Sequence, residues 1–507
     1  MNVNKKTRGY VLALSVLMLT AGWAGCSKDT PGAMEDQPVA VKVLSLDMSK
    51  FSAAGEQTMD GIENGIYRLD FYGKTAGTGY VEANGRMTAT QTADDVAKHG
   101  CIAGINVSEG KCVVKIVGET VSNITNIRLT RTDKVFSLIK GGDISELTYV
   151  EQNGGKYYDE AGTEGECLSL LKSGGMNLVR LRLYNDPGKK TYKGYDLPAG
   201  IQDEDDILKL AERAKKAGMA IMLTFHYSDF WTNGEDQYIP HQWSDGWQNP
   251  DKVSRAIVEA RGEELRQKVY DFTYNFMKRL RDEKGITPEF VSIGNETQAG
   301  MLYPIGGPLS SGDSLYQVRV KNVAAFYNAG HEAVKAISPN SRTIIHLNGA
   351  GEKGMYTWYL GMLRDRKVSY DIIGSSYYPY WTERDVTTVC NWANDVTTEF
   401  DKDLIFMETA YAWSKTIEDG TDGQLTHNNP YTDMSVKGQR EFMAELNSGI
   451  KAVKNQRLLG YVYWDPIFIP AGTAGWAVGE KNVVSNSALF GFDGKMLPVW
   501  DTFKYNN

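Results

Sequence analysis

This chain of 507 residues has few cysteines, few histidines and no excess of positive charge. Each of these shortages argues against a class of function. The five cysteines show no CxxC spacing of the kind that binds zinc. Among the six histidines, His331 stands next to Glu332 but lacks the second histidine of a metalloprotease helix. The net charge of −8 argues against nucleic acid, whose phosphates demand basic patches. A neutral or weakly anionic substrate fits this composition better.

The apolar run near the start of the chain is shorter than a membrane-spanning helix. Residues 10–22 are apolar and follow the cations Lys5, Lys6 and Arg8. This arrangement is typical of an export signal. Residues 1–25 are therefore predicted to be a signal peptide.

The next residues resemble a bacterial lipoprotein cleavage site. Ala24-Gly25-Cys26 places a cysteine where acylation makes it the first residue of the mature chain. Ser27-Lys28-Asp29 is similar to the short charged signal that sends lipoproteins of Bacteroides-type bacteria to the outer face of the outer membrane. Residues 26–38 lack periodicity, which predicts a flexible tether with an acylated Cys26. We expect an exported outer-membrane lipoprotein at the bacterial cell surface that contacts the membrane only through this lipid. A plain signal peptide with a chance cysteine is the alternative.

Residues 39–133 are predicted to form a small all-β sandwich. Apolar and polar residues alternate in three runs between Gly-rich turns, at 67–72, 112–117 and 124–130. The last run is similar to the closing strand of many carbohydrate-binding or spacer modules, and both roles stay open. Cys101 and Cys112 flank a stretch that reads as one hairpin, and a disulfide between them is left open.

In residues 134–507 apolar strands alternate with amphipathic helices. The eight predicted strands are 136–143, 177–184, 220–226, 289–296, 343–348, 371–377, 403–408 and 459–464. Helical periodicity lies between them, as in 204–217, 256–284, 318–337 and 437–454. Apolar strands flanked by helices indicate a parallel sheet buried on both faces. Eight repeats predict an α/β fold, a (β/α)8 TIM barrel with its active site at the C-terminal strand ends. A doubly wound open sheet is the alternative, but no glycine-rich phosphate loop follows the first strand.

Two glutamates close two of these strands and suggest a glycosidase. Glu296 ends the fourth strand and Glu408 ends the seventh. A carboxylate at the end of a buried strand costs roughly several kcal/mol of desolvation unless it is paired or used in chemistry. Retaining glycosidases need one carboxyl as proton donor and a second, about 5 Å away, as nucleophile, and barrel strands can supply that geometry. The alternative is two solvated glutamates at helix starts.

The other strand ends are polar or aromatic almost throughout, which packing alone does not explain. The predicted substrate-binding residues at these ends are Asp143, Arg182, His226, Asp229, Trp231, Asn295, His346, Tyr377 and Trp464. An arginine beside a carboxylate lowers its pKa and orients it as a nucleophile, and the second strand carries Arg180 and Arg182. Asn295 is suited to bond the sugar hydroxyl next to the reacting carbon, and Tyr377 to bond the nucleophile. Trp464 offers a flat apolar wall under the sugar ring.

Several motifs fall in order on successive strands and resemble glycoside hydrolase family 53, the endo-β-1,4-galactanases. They are Val179-Arg-Leu-Arg182, His226-Tyr-Ser-Asp-Phe-Trp231, Ser292-Ile-Gly-Asn-Glu-Thr-Gln-Ala-Gly-Met-Leu302, Ser376-Tyr-Tyr-Pro379, Glu408-Thr-Ala-Tyr-Ala-Trp413 and Tyr463-Trp-Asp-Pro466. The resemblance implies a retaining mechanism with Glu296 as acid/base and Glu408 as nucleophile. It implies β-1,4-galactan side chains of pectin, and galacto-oligosaccharides, as substrates. Asp465 stands where members often carry Glu. We expect a monomer without an organic cofactor.

Bacterial members of this family often bind calcium in the loop after the seventh strand. Residues 419–429 cluster oxygen donors on a Gly-rich loop, as a hard cation requires. The resemblance implies Asp419 and Asp422 as ligands of a structural calcium ion. An ordinary surface turn rich in Asp and Asn is the alternative.

Two other functions stay open on the sequence alone. One is a surface glycan-binding protein with a catalytically inactive barrel, although a binder has no need to keep two buried acids. The other is a related (β/α)8 endo-glycanase acting on mannan or arabinogalactan, because strand ends fix the reaction better than the substrate.

Overall fold

The computed structural model describes residues 43–46, 55–73, 80–87, 98–117, 124–131, 138–191, 193–244 and 253–504. The predicted signal peptide and the tether with Cys26 lie outside these residues. No helix in the described ranges is long and apolar enough to cross a membrane.

The described part of the N-terminal region folds into two antiparallel sheets. Its strands are β1 (Val43–Ser45), β2 (Glu56–Asp60), β3 (Gly65–Gly73), β4 (Tyr80–Ala83), β5 (Arg86–Met87), β6 (Lys98–Val107), β7 (Lys111–Val117) and β8 (Ile124–Arg131). One sheet has the order β1-β8-β3-β6 and the other β2-β7-β4-β5. Buried residues alternate with more exposed ones along β7, and a single apolar core includes Leu69, Val81, Ile102 and Leu129. The predicted small sandwich is confirmed.

The two cysteines near the β6–β7 turn lie in different sheets. Cys101 is on β6 and Cys112 is on β7, because the turn bridged by Ser108 and Lys111 carries the chain from one sheet to the other. Cys112 is buried and its thiol is free. The disulfide that the sequence leaves open is therefore not formed at Cys112.

Eight parallel strands close into a barrel, which confirms the predicted (β/α)8 fold. They are β9 (Ile139–Asp143), then, after a short hairpin of β10 (Tyr157–Tyr158) and β11 (Glu164–Gly165), β12 (Leu178–Leu183), β13 (Ala220–Phe225), β14 (Phe290–Ile293), β15 (Arg342–Leu347), β16 (Ile372–Ser376), β17 (Asp403–Thr409) and β18 (Leu458–Tyr463). The strands pair in chain order, and β18 closes the barrel onto β9. Every residue of β9, β12, β14, β16 and β17 is buried, as in a sheet that helices cover.

Helices connect the barrel strands and pack against them. They are α1 (Leu147–Gln152), α2 (Cys167–Ser173), α3 (Glu204–Lys216), α4 (His241–Ser244), α5 (Arg255–Lys284), α6 (Tyr316–Ile337), α7 (Lys353–Asp365), α8 (Pro379–Thr382), α9 (Val386–Phe400), α10 (Val436–Ala452) and α11 (Asp501–Lys504). Asp203, Ser254 and Ser435 cap α3, α5 and α10 by accepting a backbone hydrogen bond from the first turn. The four predicted helices correspond to α3, α5, α6 and α10 within two residues at each end.

The barrel interior combines an apolar layer with charged side chains on the same strand faces. The apolar layer draws on all eight strands through Ile139, Leu178, Met222, Phe290, Ile344, Ile372, Ile405, Met407 and Val462. Side chains alternate between the faces of a strand, so residues two and four positions after Leu178 share its inward face. These residues are Arg180 and Arg182, and both are fully buried. The C-terminal end of β12 therefore directs two guanidinium groups into the barrel.

The sandwich contacts the barrel at the end where the barrel strands begin. Arg68 on β3 is only 2% exposed, and its guanidinium lies 3.3 Å from Asp371 and 4.0 Å from Asp403. Asp371 immediately precedes β16, and Asp403 is the first residue of β17. Sandwich and barrel residues belong to one compact unit, Ala40–Asn507. The C-terminal strand ends, where (β/α)8 enzymes carry their sites, lie at the opposite end of the barrel.

Candidate active site

Glu296 and Glu408 meet at the C-terminal end of the barrel. Glu296 lies three residues after the end of β14 and has a left-handed backbone with φ 48°, which non-glycine residues adopt uncommonly. Glu408 lies near the end of β17. A carboxylate oxygen of one lies within 4.8 Å of a carboxylate oxygen of the other. This separation matches the roughly 5 Å of retaining glycosidases and is shorter than inverting glycosidases need to admit water.

Glu408 receives one hydrogen bond at each carboxylate oxygen. Arg180 Nη1 donates to Oε1 at 2.8 Å, and Tyr378 Oη donates to Oε2 at 3.0 Å. Arg180 Nη2 also donates to Asn295 Oδ1 at 2.6 Å, and the Asn295 amide nitrogen donates to the carbonyl of Thr232. The two donors fix the orientation of Glu408, and the same guanidinium fixes Asn295 beside it.

Glu296 is the carboxyl that keeps its proton. Its side chain is half-buried. Burial, together with the nearby charge of Glu408, raises the pKa of Glu296 to about 8, against the opposing effects of Ser376 and Arg180. At neutral pH a protonated carboxyl therefore stands beside an arginine-bound one. That is the arrangement of an acid and a nucleophile.

A second group of charged side chains lies beside this pair and is centred on Arg182. Its guanidinium lies 3.1 Å from Asp465, 3.2 Å from Glu146 and 3.3 Å from Asp143. All four side chains are buried. Burial raises the pKa of Glu146 to about 7 and the pKa of Asp465 well above its usual value, although Arg182 opposes both shifts. Arg180 lies 3.4 Å from Asp143, so the two groups form one continuous charge system.

Two tryptophans stack on Arg182 at the edge of the catalytic pair. The ring centroids of Trp231 and Trp464 lie 4.3 and 4.5 Å from the Arg182 guanidinium carbon and 5.7 Å from each other. Both rings are half-buried, so each keeps an exposed part that a sugar ring can stack on. Arg182 thus contacts both rings and, being fully buried, lies behind them.

Most of the predicted substrate-binding residues converge here. The structure brings together Asp143, Arg182, Trp231, Asn295, His346 and Trp464 around the two glutamates. His226 lies near them, because the charges of Arg180 and Arg182 act on it. Its ring is tilted against Tyr184 at 4.3 Å between centroids, and its Nδ1 is 2.7 Å from Thr232 Oγ1. Burial lowers the pKa of His226 well below its usual value, so the ring is neutral.

The structure corrects the placement of Tyr377. Its hydroxyl donates to the carbonyl of Arg384, and its ring packs in the apolar layer between strands and helices. The neighbouring Tyr378 bonds Glu408 instead. The reason is strand parity, since Tyr378 follows Ser376 at a spacing of two and therefore shares its inward face.

Asp229 supports a loop. Its Oδ2 accepts a hydrogen bond at 2.5 Å from the backbone N–H of His241, the first residue of α4. Burial raises the pKa of Asp229 to about 6. The contact satisfies an otherwise unpaired donor at the start of a helix and fixes the loop after β13.

The predicted calcium ligands are each paired with a lysine. Lys481 donates to Asp419, and Lys415 Nζ lies 2.8 Å from Asp422. Within the described ranges, neither aspartate belongs to a group of three or more His, Cys, Asp or Glu side chains close enough to share an ion. An ammonium already occupies the cation's place at each carboxylate, so this donor set fits calcium poorly.

Arg180, which the sequence analysis names with Arg182 as an arginine able to orient the nucleophile, is the one that bonds Glu408. Three site residues are absent from the predictions, and they are Ser376, Tyr378 and Glu146. The first two carry a readable signal, because alternation along the strand places Ser376 on the face of Tyr378. Glu146 precedes α1 in the loop after β9, and no pattern in the sequence marks it.

Comparison with known proteins agrees with this geometry. The profile described as glycosyl hydrolase family 53 matches residues 139–503. The endo-β-1,4-galactanase of Bacillus subtilis (strain 168) is 28% identical over 407 residues, which cover 72% of this chain and 85% of that protein. The arabinogalactan endo-β-1,4-galactanase of Cellvibrio japonicus (strain Ueda107) is 28% identical over 331 residues, covering 65% of this chain and 80% of that protein.

A solved structure shares the barrel as well. The GH53 catalytic domain of Ignisphaera aggregans is 32% identical, with a TM-score of 0.63, and the match covers 72% of this chain and 95% of that one. The family profile spans most of the chain and coincides with the barrel that carries the paired glutamates. This chain therefore belongs to glycosyl hydrolase family 53.

Proposed function

We propose that the protein is a retaining endo-β-1,4-galactanase that cuts the β-1,4-galactan side chains of pectin, with Glu296 as acid/base and Glu408 as nucleophile. The observation that carries the chemistry is the close pair of carboxyls, one raised in pKa and one held by Arg180. The names of the two relatives support galactan as the substrate. The closely spaced pair also favours an enzyme over an inactive glycan-binding protein.

In the first step Glu408 attacks the anomeric carbon while Glu296 donates its proton to the glycosidic oxygen. The bond between that carbon and that oxygen breaks, and an ester between the sugar and Glu408 forms. Arg180 and Tyr378 hold the attacking carboxylate in place. Asn295, oriented by the same arginine, is available to the hydroxyl next to the reacting carbon.

In the second step Glu296 acts as a base. The loss of charge on Glu408 favours this change from acid to base. Once Glu408 is an ester it carries no charge, so its contribution to the raised pKa of Glu296 disappears. Glu296 has already given its proton to the leaving group, so it stays a carboxylate. As a carboxylate it takes a proton from water, which attacks the anomeric carbon and releases the sugar with retained configuration.

Product analysis on defined glycans tests this function. Purified protein is incubated with β-1,4-galactan, β-1,4-mannan and arabinogalactan, and the product sizes are read over time. We expect a ladder of galacto-oligosaccharides from β-1,4-galactan, with the β-anomer appearing first by NMR. A ladder from mannan supports the related endo-glycanase instead, and binding of galactan without products supports the inactive barrel.

The roles of the two glutamates are tested with azide. Glu296→Ala should lose galactan hydrolysis yet be partly rescued by azide on an activated aryl galactoside, because that leaving group needs little protonation. Glu408→Ala should not give a β-azide product. Glu399→Ala changes an exposed glutamate on α9 and serves as the matched control with normal activity. Equal rescue of both catalytic variants with a β-azide product contradicts the assignment.

We also propose that the enzyme is a monomer anchored at the bacterial cell surface through an acylated Cys26. The support is the sequence pattern of residues 1–38, with its apolar run, a cysteine placed as at a lipoprotein cleavage site and an aperiodic stretch after it. Labelling with a fatty acid should mark the wild-type protein but not Cys26→Ser, which should leave the membrane fraction. A labelled Cys26→Ser variant contradicts the anchor, and light scattering on the released protein tests the monomer.

A further inference from the structure

A chain of two hydrogen bonds leads from His346 through Ser376 to Glu296. Ser376 Oγ donates to Glu296 Oε1 at 2.6 Å, and His346 Nε2 lies 2.9 Å from the same Oγ. His346 and Ser376 are buried on the neighbouring strands β15 and β16.

The direction of the two bonds follows from the protons available. Ser376 has one hydroxyl proton, and once it is donated to Glu296 the hydroxyl can only accept from His346. His346 therefore carries its proton on Nε2, and Nδ1, which has no hydrogen-bond partner among the described residues, is the bare nitrogen. The opposite tautomer would bury an unpartnered N–H, which proteins avoid more strictly than an unused acceptor. Burial and Arg180 lower the pKa of His346, so the ring has only one N–H.

This arrangement distinguishes the two oxygens of Glu296. Oε1 accepts from Ser376, whereas Oε2 has no donor among the described residues. A proton on Oε1 would require Ser376 to accept it and to turn its own proton toward a nitrogen that is already protonated. The proton of Glu296 therefore belongs on Oε2, the oxygen left for the glycosidic bond.

We propose that Ser376 and His346 are positioning residues that fix the catalytic proton on Oε2 of Glu296 and set the pH above which the acid stops working. The proposal rests on the acid/base role of Glu296 but not on the identity of the glycan. It adds two residues whose side-chain hydrogen bonds lead to Glu296 and not to Glu408 or Arg180.

Other groups also act on Glu296, and none of them reaches it through the Ser376 hydroxyl. Glu408 on β17 and Arg180 on β12 supply the charges. The phenols of Tyr356 on α7 and Tyr378 after β16 also face it. A changed pH profile in a Ser376 variant therefore reports the lost donor.

The decisive measurement is the pH dependence of kcat/KM for Ser376→Ala on soluble galacto-oligosaccharides. Loss of a donor to the carboxylate should move the basic limb upward by as much as about one pH unit. The kcat at the optimum should fall roughly tenfold, a part of what acid catalysis contributes. On a dinitrophenyl galactoside, whose departure needs no proton, formation of the glycosyl ester should keep nearly its normal rate.

Matched variants separate the relay from packing. Ser376→Thr keeps the hydroxyl and should keep the basic limb. Ser341→Ala removes a buried hydroxyl just before β15, where it donates to the carbonyl of Pro288, and should also leave the limb unchanged. His346→Gln retains an N–H donor and should shift the limb less than His346→Leu does.

Two results overturn the proposal. One is an unchanged basic limb in Ser376→Ala, and the other is an equal loss of rate on the galactan oligosaccharides and the activated galactoside. If Ser376→Ala does not fold, the pair His346→Gln and His346→Leu decides by the same readout. Azide rescue of Glu296→Ala is measured separately, and its failure removes the proposed function, whereas an unchanged limb beside normal rescue removes only the relay.

Discussion

The two ends of the barrel each carry a cluster of charged side chains, and the clusters differ in their balance of charge. The lower cluster, where the sandwich docks, consists of Arg68, Lys335, Arg342 and Arg457 with Asp70, Asp371, Asp401 and Asp403. The upper cluster, around the proposed catalytic pair, consists of Asp143, Glu146, Arg180, Arg182, Glu296, Glu408 and Asp465. Four cations face four acids in the lower cluster, and five acids face two cations in the upper one.

This balance decides whether a carboxyl is ionised. In the lower cluster Arg342, Arg457 and Arg68 hold the pKa of Asp403 below its usual value, although burial opposes them. In the upper cluster burial dominates and raises the pKa of Glu296 to about 8. The ionised acids below hold sandwich and barrel together, and the protonated acid above is available for proton transfer.

The largest effect on activity is expected when an arginine of the upper cluster is replaced by an uncharged residue. Arg180→Met should lower kcat/KM on galactan by roughly 10²- to 10³-fold, which is the cost of removing one donor from a catalytic charge. The loss arises because Glu408 and Asn295 lose their shared partner. Steady-state kinetics on the folded variant measure it. Arg213→Met, which removes a partner of Glu151 outside the barrel, is the control. A loss of less than tenfold contradicts the role of Arg180.

Replacing an arginine of the lower cluster by methionine should change the stability of the fold and not the activity. Arg68→Met leaves Asp371 and Asp403 without one of their cations and should lower the free energy of unfolding by roughly 3–5 kcal/mol. The kcat of the folded variant should stay within about twofold, because the catalytic pair lies at the other end of the barrel. Denaturant titration and kinetics measure the two effects.

Arg86→Met provides the matched control, since it also removes an arginine that the sandwich directs at the barrel. Arg86 lies 3.9 Å from Asp401, and both side chains are exposed. Such a pair contributes about 1 kcal/mol or less. Equal destabilisation by both variants would show that burial of Arg68 is not what joins the domains.

The clusters should also give opposite signs in the pH dependence of stability. The folded protein keeps the Glu296 proton up to about pH 8, whereas the unfolded chain loses it near pH 4.3, so this group favours unfolding increasingly between those values. Glu296→Gln removes the effect. The variant should be more stable than wild type at pH 8, by roughly a few kcal/mol, and equally stable at pH 4.

Asp403→Asn is the mirror image in the lower cluster. The lowered pKa of Asp403 means that its contribution to stability is present above about pH 4 and disappears as the pH falls through the folded value. The variant should therefore be less stable than wild type at pH 7, with a difference that shrinks in acid. Melting curves at several pH values test both variants, and the same sign in both would break the comparison of the two clusters.

The smallest effect is expected from calcium. Binding at Asp419 and Asp422 stays a prediction, and the ion must displace Lys481 and Lys415 to reach them. Millimolar calcium should therefore raise Tm only slightly, and Lys481→Met should enlarge the rise because it frees a carboxylate. An unchanged melting curve in EDTA, together with no metal by elemental analysis, leaves the segment as a surface turn.

The barrel could be predicted because its signals are local. Apolar strands, helical periodicity and strand-end polar residues all repeat within short windows, and the eight strands of the structure overlap the predicted ones. The exchange of Tyr377 for Tyr378 is a different kind of miss. Alternation of side chains along the strand places Tyr378 on the same face as Ser376. The sequence contained this signal, but using it required knowing that Ser376 points into the barrel.

Composition and periodicity alone determined that this chain forms a (β/α)8 barrel with a sandwich before it, and that two glutamates end barrel strands. Only the tertiary structure decided which carboxyl keeps its proton, that Ser376 and His346 stand behind it, and that Arg68 reaches across to Asp371. The physical reason is the range of the interactions. Strand and helix patterns depend on neighbours along the chain, whereas a pKa depends on every charge and every excluded water within several ångströms, which only the closed barrel brings together.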